Sequence, residues 1–345
     1  VNRLEERYRL LLRLLPADYR REWEDDMVAA FLESMDTGDA ETAAYAADYG
    51  RPRLSEVASV IALAARLRLG GTNAPPRSYA WGQAVRLAAL TATLVHAVMA
   101  TAGVAITAWL AGRMAWLPAP APEWALIPPG SLWRTAWGLA DYAWLPAYVA
   151  LVLGHRRIAQ ALALLAILPP AVTNAVQQAT GEVPPSASPW MMLLLDVVLV
   201  LAMSAFHHDA EPVPRRRWLG ALPIGILLVP VPLFAIQATS QALRLLDWPG
   251  LSCALVSVAI VIHLAGRQSH RPSGALPWSL ALTLLAAAAL ALRTATLPDH
   301  SHQAQHSALL TIGAVQATLV LAVGAPLAVL AIRALRRLPP AADDL

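Results

Sequence analysis

The chain has no lysine: all 26 of its basic residues are arginine. With abundant alanine, this fits the codon usage of a GC-rich bacterial genome. Cys253 is the only cysteine, which excludes an intramolecular disulfide and any metal site built from several cysteines. Charge is scarce as well. Charged residues make up 14% of the 345, where a soluble domain carries about 25%. A Gly-Lys-Ser/Thr phosphate loop is missing, as are His-Glu-x-x-His and Gly-x-Ser-x-Gly. No serine, histidine and acid arrangement suggests a protease. These absences argue against an enzyme, and nothing calls for a cofactor. The arginines are spread among loops and form no stripe, so no nucleic-acid partner is expected.

The scarcity of charge is uneven. The first 70 residues hold 13 of the 23 acidic residues, and the rest of the chain is dominated by apolar runs. Two regions follow: a helical segment over residues 1–75, expected to be cytoplasmic, and a transmembrane region over 81–335, with 336–345 as a cytoplasmic tail. The first apolar run follows a long charged segment, so no cleavable signal peptide is expected. The predicted fold is all-α, a polytopic membrane bundle behind a small N-terminal helical bundle.

In the N-terminal region Leu4, Tyr8, Leu11, Leu12 and Leu15 recur at helical spacing until Pro16. A second helix over 18–35 carries the apolar stripe Tyr19, Trp23, Met27, Ala30 and Phe31. Glu22, Asp25, Asp26 and Glu33 lie on its other face. This acidic face is either a docking surface or simply solvated. A turn over 36–39, with Asp39 as N-cap, leads to a third helix ending at Gly50. A fourth opens at Arg51 and Pro52, buries Leu54, Val57, Ile61, Ala64 and Leu67, and closes at Gly70 and Gly71. Some seventy residues bury only a modest core, so this region is expected to lean on a protein partner, a second copy or the membrane surface.

Spans need about 20 mostly apolar residues. Eight stretches qualify, near 84–112, 132–154, 158–176, 189–206, 219–238, 250–266, 275–292 and 308–332. Pro169 and Pro170 admit a broken or re-entrant third span. With the N-terminus inside, one set of loops holds Arg156, Arg157, Arg215, Arg216, Arg217, Arg267 and Arg271. Arg333, Arg336 and Arg337 follow the last span on the same side. The opposite side has only Arg113, Arg134, Arg244 and Arg293. The excess of arginine on one side predicts both termini in the cytoplasm of a bacterial plasma membrane. Trp109, Trp116, Trp133, Trp190 and Trp248 fall near the outer boundary, where an apolar ring with one N–H is at home; Trp81, Trp218 and Trp278 fall near the inner one.

Asp141 and Asp196 are the acids expected inside spans, roughly 10–15 Å deep at 1.5 Å per residue. A carboxylate there is expensive unless paired, protonated or facing water. Asn174, Gln177, Gln178 and Gln316 lie at similar depth, and Arg134 and Arg293 are able to reach in from the same side. This set forms either a ligand, ion or proton site opening outward, or structural Asp–Arg pairs and interhelical hydrogen bonds. His96 and His263 are isolated in the sequence and read as hydrogen-bonded packing residues. Asp299, His300, His302 and His306 are candidate metal ligands, an external pH sensor, or an ordinary polar loop. Prolines at 146, 169, 170, 223, 230 and 232 suit the broken helices of transporters and also ordinary membrane helices, and no inverted repeat is visible.

The run Leu12, Arg13, Leu14, Leu15, Pro16, then Tyr19, Arg20, Trp23, Asp26, Met27 and Phe31 resembles the permease prefix domain of bacterial membrane proteins. It is also similar to HAAS-type cytoplasmic domains, which are often associated with PadR-family regulators. The likeness covers roughly residues 4–70, and it implies a cytoplasmic regulatory or interaction module with no catalytic residue. Eight spans joined by short loops differ from the few spans and large external domain of prefix-bearing permeases. The expected function is a non-enzymatic sensor or scaffold in the lipid bilayer; the alternative is a transporter or permease subunit using Asp141 and Asp196.

Overall fold

A computed structural model describes residues 3–35, 51–70, 75–110, 112–113, 139–181, 186–207, 210–228, 247–267, 275–299 and 306–338. Among these residues the secondary structure is entirely helical. Two compact units are present. The first comprises Val1–Gln83, His207–Glu211 and Arg337–Leu345, and the second Ala84–Phe206 and Pro212–Arg336.

The first unit contains α1 (Arg3–Leu12), α2 (Ala17–Met35) and α3 (Leu54–Arg68). Glu5 and Glu6 in the first turn of α1 favour its dipole. Leu14 and Leu15 close it with bonds to the carbonyls three residues back, at 3.1 and 2.9 Å, before Pro16. Leu4, Tyr8, Leu12 and Leu15 are buried against Val28 and Phe31 of α2 and Val60 and Ala64 of α3. Tyr8 stacks on Phe31 with ring centroids 4.0 Å apart and planes 6° from parallel.

That stack sets the rotation of α2 and corrects the predicted stripe. Trp23 is 43% exposed and stacks on Tyr19, and Ala30 is exposed. At about 100° per residue, Trp23 and Ala30 lie about 80° and 100° to one side of Phe31, whereas Val28, Leu32 and Met35 lie about 60°, 100° and 40° to the other. Val28, Leu32 and Met35 occupy the inward face instead. In α3 the inward residues are Val60, Leu63, Ala64 and Leu67, whereas Leu54 and Ile61 are exposed. The predicted turn at 36–39 and the helix ending at Gly50 lie outside the described residues. Gly82 approaches the chain closely: a Cβ there would collide with the carbonyl oxygen of Leu69. Only glycine fits this contact.

In the second unit six helices are long and apolar enough to cross a membrane, the composition of a multi-pass membrane protein. They are α4 (Pro76–Leu110, which begins in the first unit), α6 (Arg156–Ala179), α7 (Ser188–Ala202), α9 (Trp248–Arg267), α10 (Ala275–Thr296) and α11 (His306–Arg336). Two further apolar segments fall in the predicted spans 132–154 and 219–238. Their described parts are α5 (Trp144–Leu153), led in by a 3₁₀ turn over Ala140–Ala143, and α8 (Arg215–Leu228).

α5 and α6 form a hairpin. Gly154 turns it at φ 95°, a left-handed conformation that suits glycine, and His155 N–H closes the end on the Ala150 carbonyl at 2.8 Å. α6 runs through Pro169 and Pro170 as one helix, so the broken or re-entrant alternative does not apply. Its buried stripe is Ala159, Ala163, Ala166 and Ile167, while Leu164, Leu165, Leu168, Val172 and Val176 face out. Small side chains inside and large aliphatic ones outside are what a bilayer permits, because helices there associate by close backbone approach. Tyr148 is fully buried and donates its hydroxyl to the Trp218 carbonyl at 2.5 Å, fastening α8 to α5. α9, α10 and α11 pack around Cys253, Ile260, Leu282, Ala286, Val320 and Leu327.

Candidate functional site

The site lies within the second unit. α4 carries His96, the 3₁₀ turn before α5 carries Asp141, and α7 carries Asp196. All three line one cavity of about 450 Å³, a volume in the range of small-molecule sites. His96 Nε2 lies 3.2 Å from Asp196 Oδ1, with side chains 20% and 14% exposed. The other face of the imidazole meets Trp144, with ring centroids 4.2 Å apart. His96 is thereby held between an acid and an indole. Its partner lies a hundred positions along the chain.

Asp141 is exposed to the cavity and lies within electrostatic reach of both His96 and Asp196. Among the described residues it has no hydrogen bond or ion pair. Asn174 lines the same space one turn after Pro170. Proline has no N–H, so the carbonyl of Ala166, another lining residue, lacks its intrahelical donor. The remaining wall is apolar and aromatic, with Ile167, Met192, Leu193 and Trp248.

Arg293 does not join Asp141 or Asp196. It is 1% exposed, and its Nη1 lies 2.5 Å from Asp247 Oδ2. Asp247 Oδ1 also accepts the Gly250 N–H at 3.0 Å, capping the first turn of α9. Two glycines make room for this pair. The space a Gly313 Cβ would need is filled by the Arg293 guanidinium, and that of Gly250 by the Gln316 amide and Asp247. Gln316 therefore belongs to the Arg293–Asp247 cluster, where its Oε1 is buried with no hydrogen-bond partner. Asp247 lines the cavity as well, and sequence reasoning missed it. The one available signal was an acid immediately before Trp248 and Pro249, at a helix start.

The other expected residues are dispersed. Arg134 lies outside the described residues. Asp299 accepts a hydrogen bond from Ser186 at 2.7 Å; His300, His302 and the side chain of His306 lie outside the described residues. Among the described residues no group of three metal-ligating side chains comes together. His263 bonds Ser279 Oγ at 2.9 Å. Gln178 accepts from the Trp190 indole at 2.9 Å. On α2, Glu22, Asp25 and Asp26 are exposed, and Asp25 sits 3.0 Å from Arg9, which also meets Glu5 and Glu24. Those hydrogen bonds, that to Glu5 foremost, hold the Arg9 guanidinium above its ordinary pKa.

What this arrangement offers is a mostly apolar cavity whose polar lining, among the described residues, comprises the carboxylates of Asp141, Asp196 and Asp247, the His96 imidazole, the Asn174 amide and the hydroxyls of Ser188 and Thr296. Arg293 is committed to Asp247. Comparison with models of protein families, with curated proteins and with solved structures finds no match to this chain.

Proposed function

We propose that the chain is a non-enzymatic multi-pass membrane protein that senses or gathers a small or lipid-like ligand in the cavity of its second unit. One observation carries this reading: His96, Asp141 and Asp196 converge from three separate helical elements on a cavity of about 450 Å³. Ionisable groups within a membrane region are costly and mark function more often than packing.

The finer topology is part of the same proposal. Eight spans, with both ends in the cytoplasm of a bacterial plasma membrane, add the segments containing α5 and α8 to the six long helices. The sided distribution of arginine supports this. The helical N-terminal segment, with its resemblance to permease prefix and HAAS-type domains, is the proposed cytoplasmic interaction module. Glu22, Asp25 and Asp26 are its docking face for a protein partner or a second copy. A reporter fused after Arg217 is expected on the cytoplasmic side; a periplasmic signal overturns the eight-span topology.

A transporter is the second reading, favoured by two observations. Among the described residues the Asp141 carboxylate has no ion pair, and a cavity wall is formed by a helix whose hydrogen bonding Pro170 interrupts. The two readings separate in the variants Asp141→Asn and Asp196→Asn, assayed apart for folding, ligand binding and flux in proteoliposomes. Retained folding with lost binding supports a ligand site, and lost flux in addition supports transport. If the variants bind normally and differ only in folding, the acids are structural.

A further inference from the structure

We infer that the cavity of the second unit takes an organic monocation, an ammonium group carried on an apolar or aromatic body. The inference rests on reading this cavity as a ligand site and names the class of ligand.

Four features select that class. The first is charge. Of the three carboxylates lining the cavity, Asp247 is neutralised by Arg293 and has its other oxygen on the Gly250 N–H. Asp196 has one oxygen 3.2 Å from His96, and among the described residues the Asp141 carboxylate has neither hydrogen bond nor ion pair. Among the described residues no arginine lines the space. His96 balances at most one of the two remaining carboxylates, so among the described residues negative charge is left uncompensated in a low-dielectric surrounding where it is costly. A cation inside the cavity removes that cost.

The second feature is hydrogen-bonding sense. The carboxylates of Asp141 and Asp196 accept, beside the Asn174 amide and the hydroxyls of Ser188 and Thr296. An ammonium has three donors and no acceptor, and so complements them. The third is the wall, where Trp248 offers an indole ring, the best aromatic partner for a cation. The fourth is size. A bare metal ion would leave most of about 450 Å³ unfilled, and among the described residues no three His, Cys, Asp or Glu side chains are placed to hold one. Ile167, Met192 and Leu193 would instead cover an apolar body.

Three probes of matched shape test this on the full chain in lipid nanodiscs, with empty nanodiscs subtracted: 2-phenylethylammonium, the neutral 2-phenylethanol and the anionic 3-phenylpropionate. Titration calorimetry is expected to give at least a tenfold preference for the ammonium over the alcohol, with the carboxylate weakest. Asp141→Asn is expected to lower ammonium affinity about tenfold and leave the alcohol unchanged. Asp196→Asn retains an acceptor for His96 and provides a second variant if the first does not yield monodisperse protein. Equal or tighter binding of the alcohol overturns the cation inference while the cavity remains a ligand site. Ammonium binding that both variants leave intact also overturns it, because the carboxylates then do not select. If none of the three probes binds, the cavity reading and the inference fall together.

Discussion

The two units solve the same packing problem in opposite ways. The first buries its large side chains, Leu4, Tyr8, Leu12 and Phe31, and leaves charge outside. In the second, α6 buries Ala159, Ala163 and Ala166 and turns Leu164, Leu165 and Leu168 outward. Water explains the first pattern, since burial of apolar area drives the collapse. Lipid explains the second: tails are as apolar as leucine, so nothing is gained by hiding leucine, and close helix approach is what holds the helices together. The units also treat charge differently. Arg9 meets Glu5, Glu24 and Asp25 on an accessible surface, whereas Arg293 is 1% exposed and committed to Asp247.

The charged pairs give the sharpest way to break this contrast. Asp247→Ala leaves the Arg293 guanidinium buried without its carboxylate, and losing one partner of a buried pair is strongly destabilising. Asp247 itself is partly exposed, so a loss of about 3 kcal/mol is expected, at the low end of the range for buried pairs. A lowered midpoint of thermal unfolding in detergent checks it. Arg9→Ala, despite its three acidic partners, is expected to leave the unfolding of the first unit unchanged, because exposed ion pairs contribute little. Equal losses from the two substitutions would mean that the units do not differ in environment.

The apolar positions follow at smaller magnitude. Leu12→Ala in the first unit is expected to cost about 2–4 kcal/mol from lost burial and the cavity left behind. In α6 the sense reverses. Ala163→Leu overfills a close helix contact and is expected to cost about 1–3 kcal/mol, whereas Leu165→Ala, facing lipid, is close to neutral in nanodiscs. If Leu165→Ala proved as costly as Leu12→Ala, Leu165 would have to pack against protein, and the lipid-facing assignment of that side of α6 would be wrong.

How much of this could be read from sequence follows the same division. The long apolar helices were legible because span length and hydrophobicity are properties of a contiguous stretch; Gly154 marked the end of one of them directly. Helix rotation was less legible. α2 and α3 are rich in alanine and in scattered large residues, so several stripes fit, and the stack of Tyr8 on Phe31 decides between them from a different helix. The candidate site was half legible. Asp141, Asp196 and Asn174 were marked by polarity in apolar runs, and they share one cavity. The pairing of His96 with Asp196 is a contact between distant helices, and no local pattern encodes it. Arg293 was expected to reach in toward Asp141 and Asp196 from the same side; its partner is Asp247 at the start of α9, which Gly250 and Gly313 make room for.

The smallest expected effect isolates the water-driven unit by pH. Tyr8 is buried against Phe31, and burial, reinforced by the negative charge of Glu56, raises its hydroxyl above the usual tyrosine pKa. Folding therefore favours the protonated phenol. The corresponding stability is fully present below the unfolded value near pH 10 and declines as pH rises through the higher folded value. Tyr8→Phe keeps the stacked ring and removes the titrating group. At neutral pH the variant is expected to match the parent within about 0.5 kcal/mol. Above pH 10 it should lose less stability than the parent, as read by the loss of helical signal from the first unit. An identical alkaline decline in both proteins would show that Tyr8 ionises as freely in the folded state as in water, and the tight packing of α1 on α2 would have to be abandoned.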